Sequence, residues 1–215
     1  MTEVDPKANS SQVELALTNQ TDREINALSF QVQAIHNGQL TTLAILSEEL
    51  VFSYTVKKYA GPISSKYIVT GPIEPGGTMY LQSGFSEPPS ALMFTVNALI
   101  FGDNTALGDP NFIRQTFEAR KAAAQELHSW IPTLENGAAD LRKNLFAWDK
   151  QIVVKTPQSA EDSGRESIQI MLKNSFSQHE YMDDEGQRAF YNNSLPYYTD
   201  LDAVFQAHSS QKETQ

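Results

Sequence analysis

The chain contains no cysteine. That excludes disulfides, thiolate nucleophiles and cysteine-ligated zinc or iron–sulfur centres, while leaving the compartment open. Positive charge is scarce. Sixteen lysines and arginines stand against 26 aspartates and glutamates, a formal net charge of -10 with an isoelectric point near 4.8. A surface of that sign repels phosphates, so nucleic acid is not an expected partner, nor is an anionic membrane. No stretch approaches the ~18 consecutive apolar residues of a membrane span, and the chain is not expected to be membrane-embedded. The first residues, MTEVDPKANSSQ, are polar and lack the apolar region of a signal peptide. Histidine is rare too. His36, His128, His179 and His208 form no pair at HExxH or H-x3-H spacing, and His179-Glu180 lacks the second histidine of such a site. A G-x-S-x-G nucleophile elbow is also missing. These absences favour a non-catalytic protein with no cofactor.

What is present is the material of a folded core. Apolar residues make up 40% of the 215 and charged residues 20%, which is the composition of a globular chain rather than a disordered one. The length allows one large domain or two small ones. Residues 1–12 read as a disordered tail and 209–215 as another.

From Val13 to Phe101 apolar residues recur at every second position, broken by turn residues, the pattern of half-buried strands. Val13, Leu15 and Leu17 alternate with polar neighbours. The run Asn19–Glu24 makes a turn, and Ile25, Ala27 or Leu28, Phe30 and Val32 form the return strand. Asn37-Gly38 supplies a second turn. Further strands are expected at Leu40–Leu46, Leu50–Val56, Lys66–Thr70, Thr78–Ser83 and Ser90–Phe101, with a tight turn at Glu74-Pro75-Gly76-Gly77. About seven strands in about 90 residues match a sandwich of immunoglobulin-like size over residues 13–108.

Past residue 101 the rhythm changes to every third or fourth position. Asp109-Pro110 is a helix start, a carboxylate N-cap followed by proline. A first helix to Ile131, stopped by Pro132, and a second from Leu134 to Lys150 are expected. Thr156–Gly164 reads as a polar linker. A third helix follows over Arg165–Tyr181, Met182–Asn193 stays ambiguous, and Thr199 or Asp200 caps a last short helix. The predicted fold is therefore a β-sandwich followed by an α-helical region, residues 109–208, packed on it.

Three segments resemble a family of uncharacterised bacterial proteins with an immunoglobulin-like sandwich. They are Asn19-Gln20-Thr21 with the following Ile25-Asn26-Ala27, the turn Glu74–Gly77, and IFGDNTALGDP from Ile100 to Pro110. In similar sequences the last looks like I-F-x-D-G-T-x-x-G-D, followed by a helix with an arginine, here Arg114 or Arg120. Asn104 stands where glycine is usual, and asparagine tolerates the same left-handed backbone. The likeness covers roughly half of the chain. It implies an exported setting, periplasmic or extracellular, for a processed chain; otherwise the protein is cytoplasmic.

The candidate site residues are Asp103, Asn104, Thr105 and Asp109, whose oxygens could serve Ca²⁺ although the spacing is not that of an EF-hand. The bland alternative is a strand-to-helix connection with Asp109 as N-cap. Asp183-Asp184-Glu185 is an acidic run open to a cation or to solvent. Tyr191–Tyr198 is aromatic and loop-like, suited either to packing or to binding. Asn9, Asn19 and Asn192 lie in N-x-S/T sequons. Three functional readings follow: an interaction or structural module with a protein or glycan partner, a carbohydrate-active or other hydrolase with carboxylates assembled in space, and a Ca²⁺-stabilised module.

Overall fold

A computed structural model of the protein describes residues 12–36, 39–52, 54–55, 59, 71–84, 91–137, 141–177 and 183–212. The described elements are strands β1 (Gln12–Thr18), β2 (Ile25–His36), β3 (Gln39–Glu49), β4 (Thr78–Gly84), β5 (Ala91–Phe101) and β6 (Ala106–Gly108), then helices α1 (Pro110–Glu135), α2 (Leu141–Gln151), α3 (Ala160–Ser177) and α4 (Asp184–His208). This is a mixed fold, strands first and helices second. The chain divides into two compact units, Met1–Ile113 with Gln211–Gln215 and Arg114–Ser210.

The first unit holds two antiparallel sheets, a two-stranded one (β1-β4) and a four-stranded one (β3-β2-β5-β6). Period-two alternation is what lets each sheet bury one face. In the small sheet Leu15 lies opposite Leu81 and Leu17 opposite Met79. These join Leu28, Phe30 and Val32 of β2 and Leu92 and Phe94 of β5 in one hydrophobic cluster. The turn at Glu74–Gly77 forms as the sequence requires. Gly77 N–H donates to the Glu74 carbonyl at 2.8 Å, and Gly76 sits at φ 76 in the third position of the turn.

Three strand expectations are corrected. First, β2 does not return along β1; β1 pairs with β4, and β2 with β3 and β5. Ile25 instead exchanges two backbone hydrogen bonds with Ile73, at 3.0 and 2.9 Å. The buried Asn19 amide holds that crossing, donating to the carbonyls of Arg23 (2.7 Å) and Ile73 (2.8 Å) and accepting from Thr21. Second, Leu50–Val56 is not a strand where it is described. β3 extends to Glu49, whose carboxylate accepts from Val51 N–H at 2.9 Å; Val51 and Phe52 turn, and Tyr54 and Thr55 are helical. Third, Ala106–Gly108 forms a short strand against β5. β2 and β3 pair out to His36–Gln39, while the Asn37-Gly38 turn and the Lys66–Thr70 strand lie outside the described residues.

The second unit is helical, with α1 entering it from the first unit. Pro132 does not stop α1, which runs on to Glu135. Proline there forfeits one backbone bond near the helix end. Trp130 and Leu134, both buried, flank it and hold the last turn in place. α2 accordingly begins at Leu141 and not at Leu134. α3 starts earlier than expected, because Ser159 caps it: Asp162 N–H donates to Ser159 Oγ at 3.1 Å. The tail of the presumed linker thus belongs to a helix. At Gly164 that helix lies so close to α1 that an added Cβ would sit 2.0 Å from the Ala119 carbonyl oxygen. α4 is a long helix, not a short one from Thr199 or Asp200. It absorbs the ambiguous stretch from Asp184 and the tyrosine-rich segment.

Phe176 is the centre of this second core, 5.9 Å from the Trp130 ring and 5.4 Å from that of Trp148. Leu127, Leu145, Ile168, Leu172 and Leu201 are fully buried with it. Lys173 donates to the carbonyls of Asp149 (3.0 Å) and Ile152 (3.2 Å), placing a cation at the end of α2 where unpaired carbonyls favour one.

Candidate functional site

The segment singled out by sequence closes the β5–β6 hairpin. Asn104 N–H donates to the Phe101 carbonyl and Phe101 N–H to that of Thr105, each at 2.9 Å. Asn104 is buried and takes φ 67, the left-handed backbone that asparagine tolerates. Asp103 Oδ1 accepts from the Thr105 hydroxyl at 2.6 Å and from its N–H at 3.0 Å. Arg23 donates to the same hydroxyl at 2.7 Å, lies 3.9 Å from Asp103 Oδ2 and stacks 3.6 Å above the Phe101 ring. The Thr105 bonds, with help from the charges of Arg23 and Lys212, hold the Asp103 carboxyl below its ordinary value. Asp109 turns to the helix instead, accepting from Asn111 N–H at 2.8 Å. Asp103, Asn104 and Thr105 therefore share one turn, and Asp109 serves as a cap.

The other sequence candidates are also tied into structure. Asp183 caps α4 by accepting from Gly186 N–H at 2.8 Å, with Asp184 and Glu185 in the first turn, where a helix favours negative charge. Tyr191 and Tyr198 are buried, and the Tyr191 hydroxyl donates to the Leu134 carbonyl. His128, exposed on α1, pairs with Asp202 of α4 at 2.9 Å. His179 lies outside the described residues. Among the described residues no group of three or more histidine, aspartate or glutamate side chains is placed to hold a metal ion, and no helix is long and apolar enough to cross a membrane.

Sequence reasoning missed a groove on the helical unit. Its cavity of about 640 Å³ is walled by α1, by the first turns of α3 and by the extended segment after α2. Three carboxylates line it: Glu126, Asp162 and Glu166. Glu126 Oε1 accepts from the Trp130 indole N–H at 3.3 Å and from the Gln169 amide at 3.2 Å. Asp162 accepts from Arg165 at 3.2 Å and from the Gln158 N–H at 3.3 Å. The same Arg165 reaches Glu161 at 3.2 Å, so its fork is held by two acids of its own helix. One sequence signal was available. Ser159-Ala160-Glu161-Asp162 has the form of a capping box and marks the start of the wall-forming helix. Nothing in the sequence brings Glu126 to Gln169, 43 positions away.

The chain matches no protein-family model, and neither the curated proteins nor the solved structures yield a match.

Proposed function

We propose that the protein is a non-catalytic interaction module that holds its partner in the groove of the helical unit. The strand-rich unit is read as an immunoglobulin-like sandwich serving as scaffold, in an exported protein related to the bacterial family that its turns resemble. One observation carries the functional part: two of the groove's three carboxylates are tied down. Glu126 is engaged by Trp130 and Gln169, and Asp162 by Arg165 and Gln158. Pre-positioned, hydrogen-bonded acceptors favour recognition of a fixed shape. Proton transfer instead calls for an acid and a base left poised for the reacting atoms.

The test is thermal unfolding in the presence of fractionated native extract. Ser129 is an exposed groove residue, so Ser129→Trp fills the site without entering the core. A fraction that raises the melting temperature of the wild type and not of Ser129→Trp is expected. If every fraction acts equally on both, the groove is not the site. The second reading is a hydrolase, favoured by the presence of three acids in one groove. Turnover of chromogenic glycosides that vanishes in Glu166→Gln would favour it over the first.

A further inference from the structure

Resting on the reading of the groove as the binding site, the structure assigns it to an uncharged saccharide, and we infer that carboxamides, hydroxyls and a held carboxylate acceptor, not ion pairs, select the ligand. Size comes first. A cavity of about 640 Å³ is of small-molecule dimensions, whereas a stable protein partner needs about 800 Å² of surface on each side. Polarity comes next. Pockets for drug-like ligands are mostly apolar with a few polar groups. This one is lined by Gln151, Gln158 and Gln169 and by the hydroxyls of Ser129, Thr133 and Thr156. Such groups match a ligand whose every edge carries hydroxyls, each able to donate and accept.

Hydrogen-bond bookkeeping sharpens the assignment. A carboxylate only accepts, so Gln169 must turn its Nε2 towards Glu126 Oε1. That leaves the Gln169 carbonyl oxygen and second N–H, together with Glu126 Oε2, in fixed positions for a ligand. An acceptor beside a donor on a planar group is the complement of two neighbouring hydroxyls. Charge argues the same way. Asp162 and Arg165 neutralise one another at 3.2 Å, leaving Glu126 and Glu166 against Lys155. The balance is slightly negative, which disfavours an anionic ligand over a neutral one. Val153, 64% exposed on the groove's edge, offers an apolar patch for the C–H face of a sugar ring.

The test uses the full chain in affinity electrophoresis, through gels containing mannan, arabinoxylan, mixed-linkage β-glucan or soluble starch, and polygalacturonate as the anionic comparison. Retardation is expected in at least one neutral polymer, undiminished at about 0.5 M salt because no ion pair is involved. Gln169→Ala and Gln158→Ala should each weaken it about tenfold, the worth of one or two hydrogen bonds. Gln158 is exposed, so its variant keeps the fold even if Gln169→Ala does not. Migration unchanged in all four neutral gels overturns the inference, and so does salt-sensitive retardation in polygalacturonate alone. If the extract still stabilises the wild type over Ser129→Trp in either case, the groove remains the site and the saccharide assignment alone falls.

Discussion

Asn19 ties the turn after β1 to the segment that leads into β4. It is 3% exposed, its amide donates twice, and its oxygen accepts twice from Thr21. An amide so engaged is closed to glycosylation in the folded chain, whatever its sequon reads. Asn19→Ala removes four hydrogen bonds at a buried site and should cost about 2–3 kcal/mol, read as a lower urea midpoint by circular dichroism. Ionisation makes two further predictions. Burial raises the Tyr198 phenol from 10.0 to about 12. The unfolded chain then ionises first, so stability falls as pH rises from about 10 towards 12, and Tyr198→Phe should flatten that decline. Asp103 has the opposite sign. Its folded value is lowered, chiefly by Thr105, so its contribution is present above the ordinary value of 3.8 and is lost as pH falls through the folded one. Asp103→Asn should make the acid limb of a melting-temperature profile shallower.

At the scale of elements, helix starts are set by single side chains. Asp109, Ser159 and Asp183 each accept from an N–H of the first turn. Replacing Asp109 by alanine should cost about 1 kcal/mol, measured by urea unfolding. Gly164 is the less forgiving position. With the Ala119 carbonyl oxygen 2.0 Å from the place of a Cβ, Gly164→Ala must push α3 away from α1, and a loss of about 3 kcal/mol is expected despite alanine's better helix propensity. Propensity misleads in the same way at Pro132 and Pro196, which sit inside α1 and α4. Buried neighbours outweigh one lost backbone bond, and tyrosine at 191 and 198 supplies the apolar stripe of α4 that a reading by aliphatic residues passes over.

For the molecule as a whole, the end of the chain returns to the strand unit. Lys212 N–H donates to the Asn104 carbonyl at 3.0 Å, and Gln211 and Lys212 group with that unit and not with the helices before them. The expected tail from residue 209 is thus in place as far as Lys212. Because Thr105, Arg23 and Asn111 already occupy the carboxylates of Asp103 and Asp109, EDTA followed by Ca²⁺ should leave the melting temperature unchanged. A calcium-dependent rise would mean that these bonds yield to a cation.

The sequence by itself determined that strands come first and helices second, the cap at Asp109, and the left-handed turn at Asn104. All of these are local: period-two or period-three-to-four burial and hydrogen bonds spanning two or three residues. Only the tertiary structure decided that β1 pairs with β4, that the chain turns out of the sheet at Val51, and that Glu126, Asp162 and Gln169 share one groove. Those outcomes rest on contacts between residues tens of positions apart, such as Asn19 with Ile73, and local periodicity carries no record of which distant partner a side chain will meet.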